Sequence, residues 1–365
     1  MFGTHRSLID IEDLTAGEVV EILDCARSFK EVNDREIKKL PTLRGRTVVN
    51  LFLEPSTRTR TSFEIAAKRL SADAVNFSAA SSSTKKGESL ADTAATLDAM
   101  DADLVVVRSR QEGAPRVVER HVRACVVNGG DGKHEHPTQA LLDAFTMRER
   151  FGSLSGLKVG IVGDVAHSRV AGSLAPLLVM MGADPVLVGP PTLMPASPQG
   201  LCREVAAGAG RPGDGEGGDR GGGEGSGNEG SGAARGNEGD GAARGDEGGG
   251  ATRPPLRVCH DLDECLPELD VLYMLRIQME RLEGAPLPSL REYAALYGID
   301  MRRLSAMKPG SVIMHPGPVN RGVELSADAA DAAQSLILDQ VNAGVAVRMA
   351  VMYLLLGGDA HGFAA

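Results

Sequence analysis

The sequence predicts an α/β protein of two doubly wound parallel sheets joined by helices, and three observations carry that prediction. Short apolar runs alternate with longer amphipathic stretches, the alternation occurs in two consecutive series, and one low-complexity segment interrupts the second series. Strand–loop–helix repetition of this kind builds parallel sheets through right-handed crossovers. A chain of 365 residues with 42% apolar content has enough material for two cores.

The elements follow in order. Val48-Val49-Asn50-Leu51-Phe52-Leu53 reads as a buried strand, followed by a polar loop and a helix whose Phe63, Ala67 and Leu70 share one face. Leu104-Val105-Val106-Val107 and Cys125-Val126-Val127 repeat the strand pattern, the latter feeding a helix after Pro137. The second series begins at Lys158-Val159-Gly160-Ile161-Val162 and continues through Pro185-Val186-Leu187-Val188 and Val271-Leu272-Tyr273-Met274-Leu275. A division near Phe151-Gly152 gives domains over 1–150 and 151–327, with a C-terminal helix over about 328–357 packing back on the first. Residues 208–253 contain no Val, Leu, Ile, Met or aromatic side chain. They end in a nonapeptide written three times, at 227–235, 236–244 and 245–253. Such a segment cannot bury enough apolar surface to offset backbone entropy, so it is expected to be a disordered loop, a low-complexity expansion tolerated at the surface.

Composition narrows the function classes. A net charge of −10 argues against general affinity for nucleic acid or anionic membrane. The five cysteines, at 25, 125, 202, 259 and 265, have neither zinc spacing nor disulfide-framework density, which suits a reducing cytoplasm. The N-terminal residues lack a signal-peptide apolar run, and no stretch reaches the roughly 20 apolar residues of a membrane span. The expectation is a cytoplasmic protein without metal or cofactor.

Against that acidic background, Glu54-Pro55-Ser56-Thr57-Arg58-Thr59-Arg60-Thr61 stands between a strand and a helix. Neighbouring hydroxyls, two Arg and the N–H groups of a helix N-terminus suit a phosphate. The plainer alternative is a hydroxyl helix cap followed by solvated Arg. Arg108 closes the strand after Val107, and His136-Pro137-Thr138-Gln139 opens a helix. A Ser run precedes Lys85-Lys86-Gly87-Glu88-Ser89. In the second series, Gly163-Asp164 leads to Ser168-Arg169, and Arg276-x-Gln278 follows a strand. Gly160-x-x-Gly163 lacks the full Gly-x-Gly-x-x-Gly fingerprint of a dinucleotide site.

Taken together, Ser56-Thr57-Arg58-Thr59-Arg60, His136-Pro137-Thr138-Gln139, Arg276-x-Gln278 and His315-Pro316-Gly317-Pro318 resemble the motifs of the aspartate and ornithine carbamoyltransferase family, over nearly the whole chain outside the Gly-rich segment. The resemblance implies transfer of a carbamoyl group from carbamoyl phosphate to an amino acid. Arg276-x-Gln278 and the His-Pro-Gly-Pro run resemble the aspartate branch, whose reaction opens pyrimidine synthesis. The ornithine branch typically carries His-Cys-Leu-Pro, and no Cys follows Cys265 here.

By the same resemblance, Ser56, Thr57, Arg58 and Thr59 would hold the phosphate. Thr59, Arg108 and His136 would contact the carbonyl oxygen, and Gln139 the carbamoyl nitrogen. Gly317 and Pro318 would contribute backbone contacts through a cis peptide. Arg169, Arg276 and Gln278 would bind aspartate. Lys86 and a serine taken as Ser82, within the contiguous run Ser81 to Ser83, would enter a neighbouring copy's site, both to bind carbamoyl phosphate and Lys86 to bind aspartate as well. Arg58, Thr59, Lys86, Arg108, His136 and Gln139 would form the catalytic set. The assembly implied is a homotrimer, to which a regulatory chain or a dihydroorotase partner could be added.

Overall fold

In the computed structural model, which describes residues 2–33, 35–78, 88–202, 256–277 and 289–358, ten strands form two five-stranded parallel sheets. The first half runs β1 (Ser7–Leu8), α1 (Ala16–Asn33), β2 (Thr47–Phe52), α2 (Thr57–Arg69), β3 (Asp73–Ser78), α3 (Leu90–Ala99), β4 (Leu104–Ser109), α4 (Ala114–Glu119), β5 (Cys125–Asp131) and α5 (Pro137–Phe151). The second half runs β6 (Lys158–Val162), α6 (Arg169–Met180), β7 (Asp184–Val188), β8 (Arg257–Cys259), α7 (Leu262–Cys265), β9 (Val271–Met274), α8 (Leu290–Tyr297), α9 (Met301–Ala306), β10 (Val312–Met314), α10 (Ala327–Ala330) and α11 (Ile337–Leu355).

Strand order is β1-β5-β4-β2-β3 in one sheet and β10-β9-β6-β7-β8 in the other. Each order reverses direction once, between β4 and β2 in the first sheet and between β9 and β6 in the second. Loops leaving the carboxyl ends of such strands diverge and open a crevice for ligand. The central strands are apolar without alternation because helices cover both faces: Leu104, Val105, Val106 and Val107 are all fully buried.

One continuous core joins Val106 and Val127 of the first sheet, Leu141 and Phe145 of α5, Ile161 and Tyr273 of the second sheet and Val347 of α11. Smaller clusters cover the outer face of each sheet. Both sheets belong to one compact unit. Helix α11 packs against α1, α2 and α5.

The single helix expected over about 328–357 is two separate helices, α10 and α11. Between them the chain pairs with β10 instead: Ile313 N–H donates to the Gln334 carbonyl at 2.9 Å, and Leu336 N–H to the Ile313 carbonyl at 2.9 Å. Those backbone groups are thereby withdrawn from helix formation. Strands β1, β3, β8 and β10 were not apparent from sequence. β1, β8 and β10 are two or three residues long. β3 is an edge strand with Val75 49% exposed, so its pattern carries little apolar signal.

The Gly-rich stretch 208–253 lies outside the described residues. Its flanks meet at Gln199, whose Oε1 accepts from Leu256 N–H at 3.0 Å while its Nε2 donates to the Leu256 carbonyl at 3.4 Å. Among the described residues, no helix is long and apolar enough to cross a membrane.

Candidate active site

Helix α2 begins where β2 ends, at the reversal point of the first sheet. Ser56 occupies its N-cap position, but the hydroxyl makes no capping hydrogen bond. Elsewhere the chain caps conventionally: Ser89 accepts from Asp92 N–H, Ser168 from Ala171 N–H and Ser326 from Ala329 N–H. The hydroxyl-cap reading of this motif therefore fails. The first-turn N–H groups and the hydroxyls of Ser56 and Thr57 are left open, at the helix end that favours an anion.

Arg108, at the end of neighbouring β4, turns into the same place. Its Nη1 donates to Thr59 Oγ1 and to the Gly129 carbonyl, each at 3.1 Å, and its Nε to Glu54 Oε1 at 2.8 Å. That same carboxylate oxygen accepts from Arg169 Nη2 at 2.7 Å. Glu54 thus ties an arginine from β4 to one at the start of α6, across the two halves. Arg169 is 7% exposed, and its Nη1 has no hydrogen-bond partner among the described residues. A buried cationic donor without a partner marks a place where a ligand oxygen belongs.

His136 sits at the N-cap of α5, 4% exposed, with its backbone N–H fixed by Ser173 Oγ at 2.8 Å. Burial, and after it the charges of Arg108, Arg348 and Arg169, hold its imidazole well below the usual histidine range. The ring is therefore neutral at physiological pH, able to donate one N–H and unable to serve as a cation. Gln139 follows one turn later and is 9% exposed.

From the second sheet, Arg276 follows β9 at that sheet's reversal point. The next residue is anchored by Glu324, whose Oε1 accepts from Ile277 N–H at 2.8 Å and from Asn320 Nδ2 at 2.8 Å. Glu324 Oε2 accepts from Asn320 N–H at 2.7 Å, so one carboxylate joins the β9 loop to the loop after β10. In that second loop, Gly317–Pro318 is a cis peptide, as expected, and Gly317 has φ +66°. A side chain at 317 would overlap the Arg58 guanidinium, so glycine here serves both the backbone conformation and the close approach of Arg58. His315 Nδ1 accepts from Gly317 N–H at 2.7 Å, which places the ring proton on Nε2. Burial, then Arg58 and Arg276, push His315 down to about 3.

These elements enclose a cleft of about 640 Å³. Ser56, Thr57, Arg58, Thr59, Arg108, His136 and Gln139 line it from the first half, and Arg169, Arg276, Gly317 and Pro318 from the second. Ser82, Lys86 and Gln278 lie outside the described residues. Sequence reasoning passed over several neighbours. Glu54 was quoted in the motif without a role. Arg348, 4% exposed, lines the cleft from α11, donates to Ser62 Oγ at 2.8 Å and stacks 4.9 Å from the Phe63 ring centroid. Its lone charge in the apolar run Val345-Ala346-Val347-Arg348-Met349-Ala350 was the signal that could have found it.

A helix start open to an anion, five arginines and two neutral histidines share one cleft. Four of those arginines and both histidines stand in the segments singled out from the sequence, and comparison with known proteins gives the same answer. A family model for the aspartate/ornithine carbamoyltransferase carbamoyl-P binding domain matches residues 6–149, and one for the Asp/Orn binding domain of that family matches residues 249–355. The chain belongs to the aspartate/ornithine carbamoyltransferase family. Among its carbamoyltransferase relatives, the aspartate carbamoyltransferase catalytic subunit of Thermobifida fusca is 49% identical over 356 residues, covering 98% of this chain and 97% of that protein. The catalytic subunit of Salinispora arenicola is 50% identical over 354 residues, covering 97% and 99%. Among solved carbamoyltransferases, aspartate transcarbamoylase from Trypanosoma cruzi in complex with N-(phosphonacetyl)-L-aspartic acid superposes with a TM-score of 0.76 at 29% identity, over 95% of this chain and 94% of that one. Ornithine carbamoyltransferase from Pyrococcus furiosus superposes with a TM-score of 0.74 at 26% identity, over 97% of each. The carbamoyltransferase fold is thus common to both acceptor classes, and the choice of acceptor has to be argued from residues.

Proposed function

We infer that the chain transfers the carbamoyl group of carbamoyl phosphate to the amine of L-aspartate, giving N-carbamoyl-L-aspartate and phosphate in pyrimidine synthesis. The observation that carries this reading is the convergence of Arg58, Arg108, Arg169 and Arg276 on one cleft in a chain of net charge −10. Of these four, two come from each half, to pair with one dianionic acyl phosphate and one dicarboxylate, and Arg348 adds a fifth guanidinium on the same cleft. Planar guanidinium forks pair bidentately with both kinds of group.

Ser56, Thr57, Arg58 and Thr59 hold the phosphate. Thr59, Arg108 and His136 donate to the carbonyl oxygen, and strengthen those bonds as negative charge develops there. Gln139 accepts from the carbamoyl nitrogen, Gly317 and Pro318 add backbone contacts, and Arg169, Arg276 and Gln278 hold the two carboxylates. The amine nitrogen attacks the carbonyl carbon, the C–O bond to phosphate breaks, and the departing phosphate takes the amine proton. No protein base is required. Bringing two anions together in reacting geometry is worth up to about 7–11 kcal/mol in well-oriented systems, and closure of the second half on the first would complete the site.

Ser82 and Lys86 complete the site of a neighbouring copy, making the smallest active assembly a cytoplasmic, threefold-symmetric trimer. Mixing an Arg58→Ala chain with a Lys86→Ala chain restores part of the activity on this reading; verified exchange of chains without recovery rejects shared sites. The reaction itself is tested by phosphate release from carbamoyl phosphate with aspartate, with ornithine or with no acceptor. Release with aspartate alone, with carbamoyl-aspartate as co-product, is the expected outcome. Release with ornithine instead would overturn the roles given to Arg276 and Gln278.

A further inference from the structure

Below the cleft, α5 carries a carboxyl group that the reaction as written does not use. Asp143 is fully buried, one helical turn beyond Gln139. Its Oδ1 accepts from Gln139 Nε2 at 3.0 Å and from Gln340 Nε2 at 2.7 Å, and its Oδ2 from Tyr273 OH at 2.7 Å. Gln340 in turn accepts from His315 N–H through Oε1 at 2.9 Å. A single carboxyl group therefore gathers donors from α5, α11 and β9, and reaches the backbone of the His315 loop.

The terminal torsion of a glutamine is soft and nearly two-fold, so its packing alone does not decide which end of the amide faces a ligand. An acceptor oxygen beside it does decide, because turning the amide over would set oxygen against oxygen. We propose that Asp143 is the positioning residue that sets the carbamoyl specificity of the cleft, by holding Gln139 with Nε2 turned into the protein and Oε1 available to the carbamoyl NH2.

This rests on the carbamoyl-transfer reading above and deepens it. The arrangement tolerates either ionisation state. Burial raises the Asp143 carboxyl to about 7, and a proton resting on Oδ2 lets the Tyr273 hydroxyl oxygen accept instead. Oδ1 then still accepts from both glutamines. An asparagine with its Oδ1 in the same place does likewise, whereas an apolar side chain cannot.

Acetyl phosphate provides the discriminating probe, since it carries a methyl group where carbamoyl phosphate carries NH2. The experiment measures kcat/KM for carbamoyl phosphate at saturating aspartate, and the inhibition constant of acetyl phosphate competing with it. Wild-type protein is compared with Asp143→Asn and Asp143→Leu. For Asp143→Leu the expected result is a roughly tenfold to hundredfold loss in kcat/KM, while the acetyl phosphate inhibition constant stays within about threefold. Asp143→Asn retains the wild-type preference. If Asp143→Leu does not fold, Asp143→Ala, whose space admits water, should show the same selective loss. Parallel loss of carbamoyl phosphate turnover and acetyl phosphate binding, or an unchanged preference in both apolar variants, overturns the proposal. Wild-type protein that does not carbamoylate aspartate overturns the reaction instead, so the two failures are told apart.

Discussion

At the wall of the cleft, Arg58 is disfavoured as a cation first by burial and then by the charge of Arg276. Arg169 nearby keeps a donor without a partner among the described residues. At the floor the situation is reversed: Asp143 receives three hydrogen bonds, and none of them comes from a cation. On the function proposed above, the wall stores positive charge that an anionic substrate neutralises, which serves binding and the charge that develops during reaction. The floor stores direction, because its groups already satisfy one another and leave a single amide oriented. Low dielectric strengthens both arrangements, and makes a missing partner costly in each.

The largest effect that sharpens this contrast is expected from Arg58→Ala. Loss of a donor to the reacting phosphate should lower turnover by about 10²–10³-fold or more. Unfolding free energy should change by less than about 0.5 kcal/mol, because one source of repulsion with Arg276 also leaves. Phosphate-release kinetics and urea titration check the two halves of that statement. Near-normal activity would remove the wall from the mechanism.

Next in size is Glu54→Ala, which strips the carboxylate shared by Arg108 and Arg169. Removing one partner from a buried ionic cluster should destabilise the fold by about 3–5 kcal/mol, read from the denaturant midpoint. An unchanged midpoint would mean that the two arginines are already balanced by other groups.

The floor makes a smaller prediction in the pH dependence of stability. Asp143 is raised to about 7 in the fold, above the roughly 3.9 of an exposed aspartate. Between those values the unfolded chain has released a proton that the folded chain retains. Stability from this group is therefore complete below about pH 4 and is lost as pH rises through about 7. Glu135, raised to about 8 mainly by burial, has the same sign. Denaturation at pH 5 and pH 8 should show a decline in wild-type protein that is smaller in Asp143→Asn. An equal decline in both would place the Asp143 carboxyl outside this linkage.

Smaller still is the signal from His136, held well below the usual range by burial and three arginines. Its ring resonances in an NMR titration should stay constant from pH 5 to pH 8. Deletion of 208–253 should change turnover by less than about twofold, since the chain on either side is joined by the hydrogen bonds between Gln199 and Leu256.

Legibility in the sequence followed this same division between wall and floor. The wall could be read because its residues come in short contiguous motifs: Ser56 to Arg60, His136 to Gln139, and Arg276 directly after an apolar run. The central strands were equally plain, being apolar on both faces. The floor could not be read, because its meaning is tertiary. Asp143 and Gln340 are 197 positions apart, and an aspartate one turn beyond a motif looks like solvated helix surface until Tyr273 and α11 close over it. Glu54 belonged to a visible motif, yet nothing local announces that two arginines from different halves share one of its oxygens. Strand β3 escaped because an edge strand need not be apolar, and β10 because three residues are too few for a period.

The pair of hydrogen bonds between Gln199 and Leu256 has a consequence for how this protein can be altered. A chain that departs and returns through one side-chain bracket leaves the folded scaffold indifferent to how many residues lie in between. Each doubling of that interval costs only about 0.6 kcal/mol of closure entropy. Length there can drift with little thermodynamic penalty, and the same bracket offers a port at which a fluorescent or affinity module can be spliced into the middle of the enzyme.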